Sequence, residues 1–533
     1  MFKKLSRLYR FFMLKRENEH QQNDRENEEK RENISKSLKD IKLKLRANFV
    51  DGSDFVMREI AVGERSEIKM IIAYIDGLAN KQVISGDILQ PLLIESKSTH
   101  VEQWFHRKDI IDVLRENLLL SCELNEVRDF KDTIDGILYG DTIIYIDGQE
   151  AALKVCSKGW ASRAIDEPDT EMVIKGPREG FVESLRTNTS LLRRKIRNPK
   201  LKFEMMQIGK QTKTDVCICY LKGIANDDII ETVRRRIKKM NIDGILAVGY
   251  IEQFIEDAPF SLFATVGNSE KPDKVAAKIL EGRVAIICDG TPIVLTVPYL
   301  LIEGFQSSED YYTRTYYATF NRILRFVALA IAGLLPAFYV ALVSFHSDVI
   351  PFELLLSILS SREQVPFSPF IEAMFMGVVF ELLKEAGIRM PKAVGQAVNI
   401  VGALVIGDAA VKAGLVSPIM LIVVALTGIS TYIVPPFSDT LPILRLIMVT
   451  VANVLGFLGI FIVLVALYIH VNSIRSFGVP YMAPLAPLTG MDLKDTFVRI
   501  PLWMMLTRPR ALTWENTDHT KYRMKKTFIK KED

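Results

Sequence analysis

The chain has 533 residues, of which 49% are hydrophobic and 25% charged, and its formal net charge is +4. This length gives room for roughly three or four domains of ordinary size. The charged residues lie mostly before Arg325 and after His470, with an apolar excess between them, which excludes a uniformly soluble chain and predicts a soluble part and a membrane part. Five cysteines, none in a CxxC pair, argue for a reducing compartment and against a disulfide framework or a zinc knuckle.

Residues 1–49 are predicted to form a charged N-terminal extension. Their basic start contains an apolar run of only four residues, 11–14, whereas a secretory signal needs about 7 to 15. We therefore predict no cleaved signal. A solvated basic tail and an amphipathic helix on a membrane surface both fit this stretch.

The soluble half contains an internal repeat. IAYIDGLAN at residues 72–80 matches ICYLKGIAN at 218–226, and each stretch ends a β-like run and precedes a helix-like one. A second pair, GDTIIYIDGQEAALKV at 140–155 and GRVAIICDGTPIVLTV at 282–297, aligns at nearly the same offset. Each member of that pair is typical of a strand, an Asp-Gly turn and a second strand. We predict two copies of one cytoplasmic α/β module, residues 50–164 and 187–310, joined by a linker, 165–186.

The modules lack the common chemical motifs. Neither carries a GxGxxG, a GxxxxGK[ST] or an HExxH sequence. Asp147 and Asp289 precede glycine in turns that favour Asp for backbone reasons, and His100 and His106 have no evident third ligand. We therefore predict no catalytic, cofactor or metal site.

A basic cluster, Arg193, Arg194, Lys195 and Arg197, lies at the start of the second module. Such a cluster can bind acidic lipid or nucleic acid. No aromatic residue is interleaved within it, so we expect a basic helix face that contacts a neighbouring subunit or lipid head groups, and no nucleic-acid partner.

Residues 323–345 form the clearest predicted membrane span. They are 23 residues long with one charge, Arg325, near the start, which suffices to cross a hydrocarbon core of about 30 Å. Pro336 is tolerable there because neighbouring helices can satisfy the freed carbonyl. Arginines on the N-terminal side place that side, with the soluble half, in the cytoplasm.

A transmembrane helical domain is predicted over residues 311–475, with four to six membrane segments, followed by a basic cytoplasmic tail, 476–533. The later candidate segments are 370–383, 395–411, 417–434 and 446–468. Counting all five candidates as full spans places the termini on opposite faces, yet the basic tail indicates the cytoplasm. We therefore expect one segment to be re-entrant or interfacial, with 370–383 and 349–361 as the suspects, or a span to be missing.

Ionisable residues at membrane depth are candidates for function because a charge in hydrocarbon costs at least about 2.5 to 3.5 kcal/mol. Glu372 and Asp408 are candidates for an aqueous path, and Asn399 interrupts the same region. Glu381 has a simpler explanation, a salt bridge at a helix end with nearby Lys384.

Thr450, Asn453, Gly456 and Ile460 follow helical spacing in the last span and form a small or polar stripe. Such stripes pack helices closely. The alternative, that the stripe lines a pore, requires several copies around an axis.

Two stretches resemble the GerA family of spore germination proteins, in particular the A subunit of nutrient germinant receptors. They are TNTSLLRRKIRNPKLKFEMMQIGKQTKTDVCICYLKGIAN and VPFSPFIEAMFMGVVFELLKEAGIRMPKAVGQAVNIVGALVIGDAAVKAGLVSPIMLIVVALTGISTYIVPPFS. The likeness extends over most of the chain, residues 34–510, and the order of Pro, Glu and Gly landmarks in the second stretch is specific.

The resemblance implies a multi-pass protein of the inner spore membrane. It implies a homo-oligomer, a pentamer, acting as a nutrient-gated ion channel that starts germination. It also implies two partners: a B subunit that is similar to amino-acid transporters and a C subunit that is a lipoprotein. The resemblance supplies no catalytic residues.

Other interpretations stay open. Short, broken helices with carboxylates near the membrane midplane also mark secondary transporters, although the membrane half shows no inverted repeat and has few spans. A structural scaffold is a second alternative, and a paralogous membrane component of the spore dipicolinate-release machinery is a third. No pairing of a nucleophile with a base indicates an enzyme.

Overall fold

The computed structural model describes residues 32–49, 52–62, 68–95, 110–114, 124–159, 171–390, 407–490, 492–505 and 508–509. The first group of elements, called module 1, contains α1 Leu38–Asn48, β1 Phe55–Val62, β2 Ile68–Ile75, α2 Lys81–Val83 with the π-helical turns Ile84–Leu89 and Pro91–Glu95, α3 Ile110–Val113, β3 Leu124–Val127, α4 Phe130–Leu138, β4 Thr142–Ile146 and β5 Ala152–Val155. The second, called module 2, contains α5 Leu185–Lys195, β6 Leu201–Ile208, β7 Thr214–Leu221, α6 Asp227–Lys238, α7 Val248–Ile255, β8 Gly267–Ser269, α8 Pro272–Glu281, β9 Val284–Cys288 and β10 Val294–Val297.

The two modules share one sheet topology. Module 1 has the strand order β1-β2-β4-β5-β3 and module 2 the order β6-β7-β9-β10-β8, and every pairing in both sheets is antiparallel. The predicted strand-turn-strand units are present as β4–β5 and β9–β10. The repeated sequences therefore correspond to equivalent places in two sheets of the same order.

The repeated nine residues encode a strand end, a turn and a helix start. Gly77 and Gly223 have φ values of +93° and +84°, which favour glycine because a Cβ is disfavoured there. Asn80 and Asn226 then cap the next helix, each accepting a 2.9 Å hydrogen bond from the backbone N–H two residues on. A strand that must turn at once into a helix needs both residue types in this order.

Both faces of the module 2 sheet are covered. Along β7, Val216 and Ile218 pack with α6 and α7, whereas Cys217 and Cys219 pack with α5 and α8. Alternate residues of a strand point to opposite faces, so a continuous apolar run is what such a sheet requires. Cys217 and Cys219 are buried core residues, and their thiols are free.

A helical region follows module 2. It contains α9 Thr315–Phe345, α10 Phe352–Arg362, α11 Pro369–Arg389, α12 Pro418–Ile433 and α13 Thr440–Ser473, and residues 407–412 are also helical. A small hairpin, β11 Arg475–Ser476 and β12 Val479–Pro480, follows α13. Within the described residues, α9 and α13 are long and apolar enough to cross a membrane.

Helix α13 folds back on itself at Gly456. The φ and ψ angles of Gly456 are +60° and −141°, outside the helical region. At one end of α13 the Thr440 hydroxyl donates to the Leu262 carbonyl, and at the other end His470 Nε2 lies 3.0 Å from Ser261 Oγ. Thirty residues of straight helix would separate these ends by about 45 Å. The chain therefore forms two arms, each about 16 residues and roughly 24 Å long.

This hairpin corrects the prediction of one continuous span over residues 446–468. Within the described residues, α13 starts and ends at the same end of the helical region, and the number of membrane spans stays a prediction. The tail then lies against the same end, where Ser476 Oγ donates to the Thr265 carbonyl at 2.7 Å and Asp495 contacts Arg322 near the start of α9 at 2.8 Å. We call this end of the helical region proximal and the Gly456 end distal.

The suspected re-entrant segments have different outcomes. Residues 370–383 lie within α11, a helix of 21 residues. Residues 349–361 overlap α10, a helix of only 11 residues. The candidate at 395–411 lies mostly outside the described residues, as does Asn399. The domain boundaries themselves stay predictions.

Candidate functional site

A cavity of about 410 Å³ lies among α9, α11, α12 and the first arm of α13. A volume of this size is typical of small-molecule sites, which are mostly apolar with a few polar groups. Its walls are mainly apolar, and its charged members are Glu381, Glu385 and Arg445. The full lining is Pro336, Ala373, Met374, Gly377, Val378, Glu381, Leu382, Glu385, Val424, Thr427, Pro442, Arg445, Leu446 and Val449.

Arg445 compensates for the proline in α9. Proline has no N–H, so Pro336 leaves the carbonyl of Ala332, four residues earlier, without its helical donor. Arg445 Nε donates to that carbonyl at 3.2 Å, and Arg445 Nη2 donates to Thr431 Oγ1 at 3.2 Å. One buried guanidinium therefore connects α9, α12 and α13 at the point where α9 lacks a backbone hydrogen bond.

Glu381 is the acidic partner of Arg445. Its Oε1 lies 3.7 Å from Arg445 Nη1 and makes no hydrogen bond, although that atom is buried. Its Oε2 lies 3.6 Å from Lys384 Nζ, so the predicted pairing with Lys384 is present, but it lies inside α11 and not at a helix end. In the cavity wall, the Glu381 carboxylate and the Arg445 guanidinium thus form an ion pair without a hydrogen bond between them.

Glu372 is fully buried near the distal end and has partners from two other elements. Its Oε1 lies 3.1 Å from Arg362 Nη2, and its Oε2 accepts a 2.8 Å hydrogen bond from the backbone N–H of Ser417. Ser417 precedes α12, so this carboxylate neutralises a partly buried arginine and satisfies a donor at a helix start. An aqueous path past Glu372 stays a prediction, but the observed contacts already account for the charge.

The other predicted pore residues within the described part of the chain have different surroundings. Asp408 is exposed and pairs with Lys412 at 2.6 Å. Thr450 is exposed and donates to its own helix at the Leu446 carbonyl, whereas Asn453 is half-buried and Gly456 is buried at the bend. The predicted stripe is therefore not one helical face, because the helix ends at Gly456.

A buried charged junction joins the start of α9 to the segment between module 2 and α9 and to the tail. Arg322 is fully buried, with Nε 3.1 Å from Asp310 and Nη1 2.8 Å from Asp495. Arg325, one turn along, contacts Asp310 at 2.8 Å. Burial raises the pKa of Asp495 although Arg322 favours its ionised form. This junction was not predicted from the sequence, in which two arginines one turn apart at the start of an apolar helix are the available signal.

The basic cluster lies between the two modules. Arg193 is buried and bidentate to Asp54 of module 1, with contacts of 2.7 to 3.0 Å. This corrects the expectation of a lipid or subunit contact for Arg193, because its guanidinium is enclosed within the chain. Arg194 and Lys195 both contact Glu179, at 3.3 and 3.2 Å.

Arg197, the last member of the basic cluster, also faces module 1. Its guanidinium carbon lies 4.2 Å from the ring centroid of Tyr139, and Lys158 Nζ lies 3.8 Å from the same centroid. Such cation–π contacts are worth about 0.5 to 2 kcal/mol. Contact of Arg194, Lys195 and Arg197 with lipid or another subunit stays a prediction.

Within the described part of the chain, no group of three or more His, Cys, Asp or Glu side chains is arranged to hold a metal ion. Two of the module 2 thiols, Cys217 and Cys219, have pKa values raised by burial, which makes them poor nucleophiles.

The family model described as Bacillus/Clostridium GerA spore germination protein matches residues 43–511. The chain belongs to the GerA family. It is 42% identical over 468 residues to spore germination protein KA of Bacillus subtilis, covering 87% of this chain and 84% of that protein. It is 37% identical over 478 residues to spore germination protein GerLA of Bacillus cereus, covering 89% and 96%.

Two further likenesses complete the comparison. The uncharacterized membrane protein YfkQ of Bacillus subtilis is 41% identical over 462 residues, covering 86% of this GerA family chain and 88% of that protein. The crystal structure of the N-terminal domain of the A subunit of the Bacillus megaterium spore germinant receptor GerK3 matches with a TM-score of 0.41 and 30% identity, covering 51% of this chain and 98% of that one. The family model and the germination proteins confirm, at the level of the family, the resemblance found from the sequence.

Proposed function

We propose that this chain is the A subunit of a nutrient germinant receptor in the inner spore membrane, where copies of it assemble into a nutrient-gated ion channel. The assembly is a homo-oligomer, a pentamer, and acts with a transporter-like B subunit and a lipoprotein C subunit. Membership of the GerA family supports the germination role. The large N-terminal region lies in the cytoplasm.

The observation that carries the gating part of this proposal is the direct connection between module 2 and the helical region. Arg322 at the start of α9 is buried between Asp310 and Asp495, and both ends of α13 contact the loop at Ser261 and Leu262. A displacement of module 2 must therefore move α9 and α13. These few helices need several copies to enclose a wide aqueous path.

Arg445 is the residue through which such a displacement acts. It lies five residues after Thr440, which contacts module 2. Its Nε donates to the Ala332 carbonyl, and Glu381 Oε1 lies 3.7 Å from its Nη1. Because Nε binds the Ala332 carbonyl and Nη1 faces Glu381, a small shift of α13 closes or opens the contact with Glu381, which gives two arrangements. Nutrient binding elsewhere in the receptor then favours the conducting arrangement by a population shift.

Two measurements test the proposal. The full chain in mild detergent is weighed by native mass spectrometry, where an oligomer is expected. It is then reconstituted with its B and C subunits in potassium-loaded liposomes, where nutrient should release potassium without a coupled substrate. Arg445→Met should change the nutrient dependence of that release, whereas Lys412→Met, which removes an exposed pair, should not. A stable monomer, or no release from any liposome, overturns the channel.

A secondary transporter is the second candidate, and the cavity favours it. Transport sites form where helices are broken near charged side chains, and the cavity is lined by Pro336, Glu381 and Arg445. The liposome experiment separates the two functions, because strict stoichiometric exchange of potassium with a substrate indicates a transporter and removes the channel.

A further inference from the structure

Module 2 carries an exposed apolar stripe. Tyr250 and Phe254 lie four residues apart on α7, so they share one face of the helix, and Leu246 lies two residues before the helix begins. Their side chains are 69%, 39% and 50% exposed, and Phe260 in the following loop is fully exposed. The opposite face of α7, with Val248, Ile251 and Ile255, lies in the module core. We call the four exposed residues the α7 stripe.

Isolated exposed apolar residues need no explanation, but a contiguous aromatic stripe marks a surface that is covered. Three of the four members are aromatic, and none of the four belongs to the hydrophobic core of module 2. The question is therefore what covers the α7 stripe.

The position of the stripe answers this question. Phe260 immediately precedes Ser261 and Leu262, the two residues that contact opposite ends of α13. The Phe263 ring lies 6.5 Å from the ring of His470. Phe260 therefore stands at the level where the two arms of α13 begin and end, and Tyr250 and Phe254 lie on the helix that precedes this loop.

The helical region is also apolar and exposed at this level. Ile443 on the first arm is 47% exposed, and Tyr468 and Ile469 on the second arm are each 63% exposed. A bilayer or partner that covers these side chains would therefore also reach the α7 stripe. Tyrosine is enriched where a membrane meets water, because its ring is apolar and its hydroxyl polar, and phenylalanine and leucine are typical of the apolar face of a helix that lies at that interface.

We propose that the α7 stripe lies in the interfacial layer of the bilayer and seats module 2 on the membrane surface. The inference rests on the proposed function in one respect, that the helical region is embedded in the membrane. In this position α7 lies in the plane of the membrane, with its buried face in the module and its aromatic face among the lipid head groups. Module 2 is then held at two points, by the α13 ends and by the stripe.

The test places single fluorescent labels on the full chain in nanodiscs that contain one copy each. Cysteines replace Phe254 and Phe260 in separate variants, Leu43→Cys provides a control exposed apolar site on α1 of module 1, and Phe461→Cys provides a site on the second arm of α13. The parent protein, labelled in parallel, gives the background from the native cysteines. Quenching is measured with nitroxides on the lipid head group and with aqueous iodide.

The expected result is that labels at Phe254 and Phe260 are quenched at least twofold more by lipid nitroxide than the label at Leu43, and less by iodide. If they match the Leu43 label while the Phe461 label is quenched, the helical region is embedded and the stripe proposal is overturned. If the Phe461 label is also unquenched, the proposed membrane embedding fails and the stripe proposal falls with it. Protection that appears only in discs with several copies assigns the stripe to a neighbouring copy and overturns the lipid contact.

Discussion

The bend at Gly456 predicts a specific intolerance to a single methyl group. The φ and ψ values of +60° and −141° lie in a region that is essentially restricted to glycine, and other residues there cost about 1 to 3 kcal/mol. An added Cβ would also lie 2.8 Å from His346 Cε1 and 3.2 Å from Phe345 Cβ. The His346 ring is packed on Phe457 with centroids 4.5 Å apart, so it cannot move aside freely.

Overpacking of this kind costs about 1 to 3 kcal/mol, so Gly456→Ala should lose about 2 to 6 kcal/mol in total. The assay is thermal unfolding of the full chain in mild detergent. Gly377→Ala is the matched control, since Gly377 lies inside α11 and an added Cβ there meets nothing within 4 Å. That substitution should be neutral or should raise the melting temperature slightly, because alanine favours helix over glycine by about 1 kcal/mol.

Topology supplies a second readout for the same reasoning. In membrane vesicles, cysteines at Asp439 and Asn472 should react with an impermeant thiol reagent from the same side, because the two arms of α13 return to one end. If Gly456→Ala unfolds at the parent temperature and these two cysteines react from opposite sides, α13 is a continuous span and the hairpin is refuted.

Two further predictions concern the modules. Asp54→Ala leaves Arg193 buried without its bidentate partner, so it should lower the free energy of unfolding by about 3 to 5 kcal/mol, measured by denaturant unfolding of the full chain. Arg186→Ala removes a partly exposed pair with Asp76 and should lower it by no more than about 1 kcal/mol. Equal losses in the two variants would contradict this ranking. Burial, followed by nearby carboxylates, raises the pKa of Glu252 to about 7, so ionising it opposes folding, and stability is lost as pH rises from the ordinary value near 4.5 to about 7. Glu252→Gln should therefore unfold at a higher temperature than the parent at pH 8 and at a similar temperature at pH 4, and a difference that does not change with pH would contradict this assignment.

Local signals explain why the two modules could be predicted from the sequence. The nine-residue repeat contains a strand, a glycine that takes positive φ and an asparagine that caps a helix, and each of these acts within a few residues. Gly77 and Gly223 adopt that conformation, and Asn80 and Asn226 accept the capping hydrogen bonds. Two copies of such a signal at one offset specify the same local path twice, and the sheets follow.

The helical region could not be predicted in the same way, because its decisive contacts join residues far apart in sequence. Gly456 lies in an apolar run without proline, where glycine usually packs one helix against another. Arg445 lies just outside the predicted span at 446–468, because a charged residue marks the end of an apolar segment. Its role depends on the Ala332 carbonyl, more than a hundred residues earlier, and on a proline whose missing N–H frees that carbonyl.

The charges of α11 show how an apolar bundle accommodates ionisable groups. Glu372 and Glu381 lie on a helix whose neighbours α9 and α12 carry no charge over most of their length, and an isolated carboxylate there would be strongly unfavourable. Each glutamate instead faces an arginine from another element, Arg362 or Arg445. In the distal pair, Glu372 also accepts a hydrogen bond from the backbone at the start of α12. In the proximal pair, Glu381 Oε1 makes no hydrogen bond, and the pair borders a cavity. Of the two, the proximal pair is therefore the one that a displacement of module 2 can alter at the smaller energetic cost.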